Sequence, residues 1–585
     1  MDLRAARPDE AGALSGLTMR SKAHWGYDAA FLAACQDVLR LRADEIVARR
    51  TVVAERDGTT LGVATLDGEP PDGELGLLFV EPKALGRGVG RVLYRHVLAE
   101  AARLGFTRVR IESDPHAEGF YLVMGAERQG THRGMPVFLA WPVRPEPSWA
   151  VAWGAGGPTV HVGNVAEFNG QFTGRVRGPD HYSCMAAFCG QRPAMIVLPQ
   201  QVDDWWGRHA GAVLGWGDVE VRGGIADDGR VSKAILDQPE LVENLTSRGF
   251  PVLPWGRTAA FDPISPSSPG VLAAIGRYES KRHAHALFTS LASEHPGIVV
   301  PAQRPAGSRR ALARDLAGGT KVVLKREYGV GGSGTLIVSP ETKGLRALAR
   351  RWADGVLVEE YVEGSDLNRN PTFDAVIDPG GEVHPVGAGL MDVDATSYRG
   401  VTVGPGVLPG PLADTAVEFG IAVGRILAAE HYRGWYDVDF VTDQSGRLAP
   451  VEINLRLTGP AVAFHVQAAL DRLRGGHHFV RTLDWLPLGA RLPSAALRAH
   501  VGHVSQRCQE FGATLLVTIP TAAFDPVPYL GVAVAARSSQ ALTEAENAVR
   551  DANAALGEMF GDLRVTPRDA PAARRRRARP RRSSR

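Results

Sequence analysis

Glu452, Asn454 and Arg456 alternate with Val451, Ile453 and Leu455. In a strand, that alternation places the three polar side chains on one face. Just upstream, Gly434-Trp-Tyr-Asp-Val-Asp-Phe-Val441 reads as another strand, and the turn Asp443-Gln-Ser-Gly446 would pair the two antiparallel. Asp439 then joins the same face. One Asp carboxylate, one Glu carboxylate and an Asn amide oxygen form a hard-oxygen set suited to Mg²⁺ held against phosphates. Arg456, one pleat further, could neutralise a phosphoryl oxygen. Asp437 shares the strand face of Asp439 and stays open as a ligand.

Such a site needs a phosphate-bearing partner, and two upstream stretches supply candidates. Lys321-Val-Val-Leu-Lys-Arg-Glu-Tyr-Gly-Val-Gly-Gly-Ser-Gly-Thr-Leu-Ile-Val338 reads as a strand, a glycine-rich loop and a second strand. Lys325 closes the first strand. Glycines let backbone N–H groups approach phosphate and let a lid open and shut. It is not a P-loop, because Gly-Lys-Ser/Thr is absent and a strand follows the loop. Gly355-Val-Leu-Val-Glu-Glu-Tyr-Val-Glu-Gly-Ser-Asp366 is an apolar strand ending in acidic residues.

In this order, the lysine strand with its glycine loop, the acidic strand and the Asp…Glu-x-Asn-x-Arg hairpin resemble the ATP-grasp fold, over roughly 280–475. The resemblance implies that Lys281 and Lys325 reach ATP phosphates, under a lid containing Gly331, Gly332, Ser333 and Gly334. Glu359 and the backbone of Val362 would meet the adenine, and Asp366 the ribose. Asp439, Glu452 and Asn454 would hold Mg²⁺, with Arg456 beside the transferred phosphate; Asp439 is preferred to Asp437 because Gly-x-x-x-x-Asp-Phe is the family spacing. The implied activity is phosphorylation of a carboxylate by ATP, the acyl phosphate then being attacked by an amine. That chemistry needs positioning and charge neutralisation more than covalent catalysis. Glu-Ile-Asn-Leu-Arg followed by Thr-Gly is similar to the pheganomycin-type peptide ligases. Those place an α/β domain before the ATP-grasp, for which Gly157–Asn164 and Ala194–Leu198 supply strands. The match loosens at Gly459-Pro-Ala-Val-Ala-Phe-His465, where that family tends to a Gly-Thr-Thr-His-Pro-like run.

A second constellation lies near the N-terminus. Gly73–Pro82 reads as a strand, Lys83-Ala-Leu-Gly-Arg-Gly-Val-Gly90 as a glycine turn, and Arg91–Leu104 as an amphipathic helix. A glycine turn opening a helix presents free N–H groups to a pyrophosphate. With the strand Thr107–Ile111 and Asp114-Pro-His-Ala-Glu-Gly-Phe-Tyr-Leu-Val-Met-Gly125, this resembles the GNAT acetyltransferases over most of 1–143. The resemblance implies an acetyl-CoA site at Val80, Gly86, Arg87, Gly88, Val89 and Gly90. It makes Tyr121 the general acid at the coenzyme A sulfur, and Glu74 a candidate base for the incoming amine. Leu85 stands where the family has Gln or Arg, which costs a side-chain contact and leaves the backbone nest. Ser21–Tyr27 falls in the segment that forms the acceptor cleft in such enzymes.

The chain has 585 residues, enough for about three or four domains. Multidomain α/β is the expected fold class: a GNAT α/β domain over 1–143, a linker over 144–158 rich in Pro and Gly, and a pre-ATP-grasp α/β domain over 159–268. An α+β ATP-grasp domain over 269–485 and a small α+β cap over 494–566 follow, before a disordered arginine tail over 567–585. That tail carries eight arginines after residue 573, so the net charge of +2 leaves −6 for the body. Basic runs bind nucleic acid by counterion release, but this one has no aromatic residue for base stacking. A solvated appendage is the expected reading, and a nucleic-acid-associated protein directed by the tail is the rival. Another rival makes the N-terminal unit a non-catalytic sensor or scaffold.

Cys35, Cys184, Cys189 and Cys508 match no disulfide framework or zinc spacing. No transmembrane run or signal peptide is legible. A cytoplasmic enzyme acting on a small-molecule carboxylate and amine is expected, with substrates, order of reactions and oligomeric state open.

Overall fold

The computed structural model describes residues 1–560 except 177–179, 227, 318, 330–333, 353–354 and 366. Gly331, Gly332, Ser333, Asp366 and the arginine tail therefore lie outside the described residues.

The N-terminal unit is built on two sheets. Asp2–Ala5, Val52–Arg56, Thr59–Ala64 and Leu78–Val80 form an antiparallel four-stranded sheet. Five strands form the other, in the order Asp67–Glu69, Asp72–Leu75, Arg108–Glu112, Met135–Ala140, Glu127–His132. The strand expected over Gly73–Pro82 is thus broken in two. Asp72–Leu75 pairs parallel with Arg108–Glu112, whereas Leu78–Val80 leaves to pair with Gly62–Ala64. Gly76 sits at the break. A Cβ there would lie 1.9 Å from Asp67 Oδ2 and 2.6 Å from the Arg49 guanidinium, so a side chain at this position would have to displace the Arg49–Asp67 ion pair (2.7 Å). The two strands splay into a wedge. Helix Val89–Leu104 buries Leu93, Val97 and Ala101 against the sheets, its apolar residues recurring at helical spacing.

Next comes a short all-parallel sheet, in the order Glu220–Arg222, Pro193–Val197, Thr159–Val162, Val252–Pro254. Its two middle strands are nearly wholly buried, as strands covered on both faces must be. A separate antiparallel lobe joins Gln303–Pro305, Val356–Glu360, Val322–Arg326 and Thr335–Val338 around Leu312, Leu324, Val338 and Val358.

The largest sheet has eight antiparallel strands, starting Leu448–Asn454, Gly434–Thr442, Pro371–Ile377, Val383–Asp394, Ser397–Val403. Phe479–Pro487, Tyr529–Ala536 and Thr514–Ile519 complete it. The segment expected as a small C-terminal cap adds two of these strands, Tyr529–Ala536 and Thr514–Ile519, to the large sheet. Helices Ser494–Glu510 and Ser539–Phe560 cover that end through Leu497, Val501, Leu542 and Val549.

The expected linker over 144–158 also differs. It holds helix Ser148–Gly154, and its buried Trp149 meets Trp435 and His465 edge-on at 5.7 and 5.0 Å. Its indoles outweigh its prolines: burying such a ring is worth about 1.5–3 kcal/mol. The N-terminal unit docks onto the rest through Arg537. That guanidinium pairs with Glu127, donates to the carbonyls of Gly475 and Arg474 (2.8 and 2.9 Å) and lies 4.7 Å over the Trp141 ring.

Candidate functional site

Pairing of Gly434–Thr442 with Leu448–Asn454 sets Asp439 opposite Glu452 and Asp437 opposite Asn454. The next strand adds Thr372 opposite Asp439 and Asp374 opposite Asp437. These carboxylates line or back a cavity of about 840 Å³ between the large sheet and the small lobe. Lys281, Lys325, Glu359, Val362, Asp437, Asp439, Glu452, Asn454 and Arg456 all reach its wall.

Ionic pairing inside the cavity is dense. Lys281 is the first residue of helix Lys281–Leu291, which Ser280 caps, and it contacts the Glu452 carboxylate directly. Lys325 lies 2.6 Å from Glu359 and donates to the Val451 carbonyl at 3.3 Å. The Glu359 carboxylate, expected at the adenine edge, is thus engaged with Lys325 and also accepts from Gln303 at 2.7 Å. Two charges buried together pair, because leaving either unmatched would be costly. The Val362 carbonyl is taken by Arg369, which also ties down the Thr442 carbonyl.

Arg456 donates to Asn454 Oδ1 at 2.6 Å and to Glu279 at 3.3 Å. Glu279 also accepts from the Leu455 N–H at 2.7 Å, so one buried carboxylate fixes the strand and the guanidinium together. Asn454 donates through Nδ2 to Asp437 at 2.7 Å and, at 3.5 Å, to Asp439. Glu452 thus points at a lysine and not at Asp439. Asp437, Asp439 and Glu452 do not converge within 4.8 Å of one another; among the described residues, the acidic and histidine side chains that do are Asp378, Glu382 and His384, on a turn.

Burial, and then the neighbouring carboxylates, push Asp439 and Asp374 well above the usual carboxylate range. Burial lifts Asp437 to about 7 against the pull of Arg456 and Asn454. Glu452 is also resisted by burial, yet Lys281 holds it below its ordinary value. Asp439 Oδ1 is buried with no hydrogen-bond partner. An orphaned carboxylate oxygen beside a second carboxylate and an amide suits a divalent cation.

In the N-terminal unit, Gly86 and Gly88 take φ values of +73° and +81°, and Gly88 caps the helix that begins at Val89. A Cβ at Gly90 would come no nearer than 3.6 Å to Phe120 and 3.7 Å to the buried Val80. Arg87 lies on the exposed outside of the turn. Tyr121 is buried among Tyr94, Phe120 and Phe138, and burial raises its hydroxyl pKa. Glu74 is half exposed and paired with Arg110 at 3.1 Å. Beside the wedge, Lys22 meets Asp114 at 2.6 Å, Tyr27 donates to the same carboxylate at 3.0 Å, and Trp25 stacks on His116 at 5.0 Å.

Residues 20–126 match the acetyltransferase (GNAT) family profile. A solved structure similar to that region is PaiA N-acetyltransferase of Thermoplasma acidophilum in complex with coenzyme A. It is 16% identical, covering 24% of this chain and 96% of its own, with a TM-score of 0.22. Two others align with the remainder. N5-carboxyaminoimidazole synthase of Aspergillus clavatus, with ADP and 5-aminoimidazole ribonucleotide, is 13% identical over 68% of this chain and 98% of its own, at a TM-score of 0.42. Biotin carboxylase of Campylobacter jejuni, in a β-γ-ATP complex, is 12% identical over 70% and 96%, at 0.41. No curated protein matches the chain. Residues 20–126 carry the GNAT match, and the architecture as a whole is multidomain α/β.

Glu279, Asp374, Gln303 and Arg369 escaped the sequence reading. Glu279 directly precedes the Ser280-Lys281 pair and could have been found there. Asp374 reaches the site only through a non-local strand pairing, which leaves no local signal.

Proposed function

We propose that the protein is an ATP-dependent carboxylate–amine ligase working through an acyl phosphate, fused to an acetyl-CoA-dependent N-acetyltransferase. One observation carries the ligase reading. A single cavity gathers two buried lysines, an arginine, an asparagine and several carboxylates between a large sheet and a small lobe, room for a nucleotide and a small acid.

Lys281 and Lys325 would neutralise phosphate oxygens, and Glu359 keeps Lys325 aimed into the cavity. Asp439 and Glu452, with Asn454 if its Oδ1 turns from Arg456, would hold Mg²⁺, which when bound would supply charge neutralisation at the ATP phosphates. Glu452 would give up its contact with Lys281 in that role, leaving the lysine for phosphate. Arg456, braced by Glu279, stands where negative charge gathers during transfer. The similarity to pheganomycin-type ligases supports a peptide or amide product in specialised metabolism, from small-molecule carboxylate and amine substrates.

For the N-terminal unit, the left-handed glycines of 86–90 and the open helix start support a pyrophosphate cradle. Tyr121 stays protonated at neutral pH and would be the acid for a departing thiolate, a role that its burial weakens. Glu74 would serve as base only after leaving Arg110. That pairing favours the second reading, a coenzyme A-binding unit that does not turn over. The absence of a long apolar helix among the described residues, together with four free thiols, supports a cytoplasmic assignment.

The deciding experiment is a phosphate-release screen over amino-acid pairs and small acids with Mg·ATP, products identified by mass spectrometry. ATP-dependent amide formation is expected, and no ADP from any acid would refute the ligase. Thiol release from acetyl-CoA across an amine panel separates an active transferase from a binding unit.

A further inference from the structure

Past the lysines, the cavity has a second end built by other elements. Its wall there includes Asn169, Asp180, Tyr182 and Trp255 from the parallel-sheet domain, together with Tyr398 and Thr458. The Tyr182 and Trp255 rings meet edge-on at 5.6 Å and 86°. The cation nearest in sequence to this wall, Arg456, is already held by Glu279 and Asn454.

Asn169 Oδ1 is a buried acceptor without a hydrogen-bond partner, whereas the hydroxyls of Tyr398 and Thr458, likewise buried and unpaired, can donate as well as accept. Asp180 lines the cavity and receives the Ala166 N–H at 2.6 Å and the Ser183 hydroxyl at 2.5 Å, both on Oδ2. Behind the wall, Tyr182 donates its hydroxyl to Asp484 at 2.7 Å, and the other Asp484 oxygen is buried unpartnered. An unsatisfied buried acceptor is costly, and a ligand with several N–H donors recovers that cost. Aromatic faces beside a carboxylate add attraction for a cation.

We infer that this end receives the primary ammonium group of an amino substrate, with Asp180 as counter-ion, Asn169 Oδ1 as second acceptor, and Tyr182 and Trp255 as the surrounding rings. The inference rests on the ligase reading and names its substrate class. An ammonium group could belong to the acid being phosphorylated or to the amine that attacks it.

The test measures binding of phenylalanine, phenethylamine and 2-phenylethanol to the full chain by titration calorimetry, with and without Mg²⁺ and a nonhydrolysable ATP analogue. At least one amine should bind roughly ten-fold tighter than the alcohol, the scale of one hydrogen-bonded charge. Asp180→Asn should erase that preference. Because Asp180 also caps a helix, Asn169→Leu is the second variant and should weaken amine binding several-fold with the cap intact. Phenylalanine binding without phenethylamine places the group on the acid, and binding of both places it on the attacking amine. Equal binding of alcohol and amines, no amine binding at all, or a preference unchanged in both variants would overturn the inference. Failure of the nucleotide analogue to bind would count against the ligase reading alone, since the amine titration is also run without it.

Discussion

Replacing Glu452 by Gln exchanges one oxygen for nitrogen and removes one charge from a buried set of ions. Its carboxylate contacts Lys281, whose ammonium also donates to the Gly329 carbonyl at 3.5 Å. Taking unit charges about 4 Å apart at an effective dielectric of about 20, the lost attraction is about 4 kcal/mol. Glu452 keeps 23% of its side chain exposed, so solvent and Asp439 will recover part of this in the resting protein. A stability loss of about 1–3 kcal/mol is expected, read as a lowered Tm. Catalysis should suffer more. If the same charge faces Mg·ATP during transfer, about 4 kcal/mol corresponds to a loss of about 10³-fold in ADP formation. The assay is coupled ADP release with an acid from the screen, alongside calorimetry of the variant. ADP release within three-fold of wild type from a folded variant would refute the assignment of Glu452.

Other expectations follow from the same geometry. Lys325→Ala should leave Glu359 unpaired and weaken ATP binding by at least about ten-fold, measured with a fluorescent ATP analogue; unchanged affinity would show that the lysine faces no phosphate. Gly76→Ala should force the Arg49–Asp67 pair apart, costing about 1–3 kcal/mol in denaturant melts and narrowing the wedge, with coenzyme A affinity as the second readout. His161 and His465 are buried, and burial lowers their pKa to about 4 and about 3. Their unfolded forms take up protons from about pH 6.5 downward while the folded forms stay neutral, so stability should be full above that pH. It should fall by about 3 kcal/mol per imidazole as pH drops to 4, and a flat Tm across that window would contradict their burial.

Local patterns carried much of this far. The alternation Glu452, Asn454, Arg456 was visible because a strand's period of two is written into the chain, and a four-residue turn limits which register can form. The glycine turn before Val89 was visible for a similar reason. Non-local features were not. Asp374 joins the acidic group through a partner strand some 60 residues away in the chain. At the strand break, Gly76 lies against an ion pair whose Arg49 comes from 27 residues upstream, beyond the reach of a local pattern. Pro and Gly around 144–158 resembled a linker because composition weighs backbone preference and cannot weigh what Trp149 will find to pack against.

The order of strands in the large sheet has a consequence for synthesis. Tyr529–Ala536 is an inner strand, with Phe479–Pro487 on one side and Thr514–Ile519 on the other. A nascent chain still tethered to the ribosome cannot seat that strand until translation has passed residue 536, more than fifty residues after Phe479–Pro487 began. Trimming the C-terminus back to the apparent end of the nucleotide-handling region would therefore leave a raw, water-hating sheet margin and yield aggregates in place of a minimal enzyme.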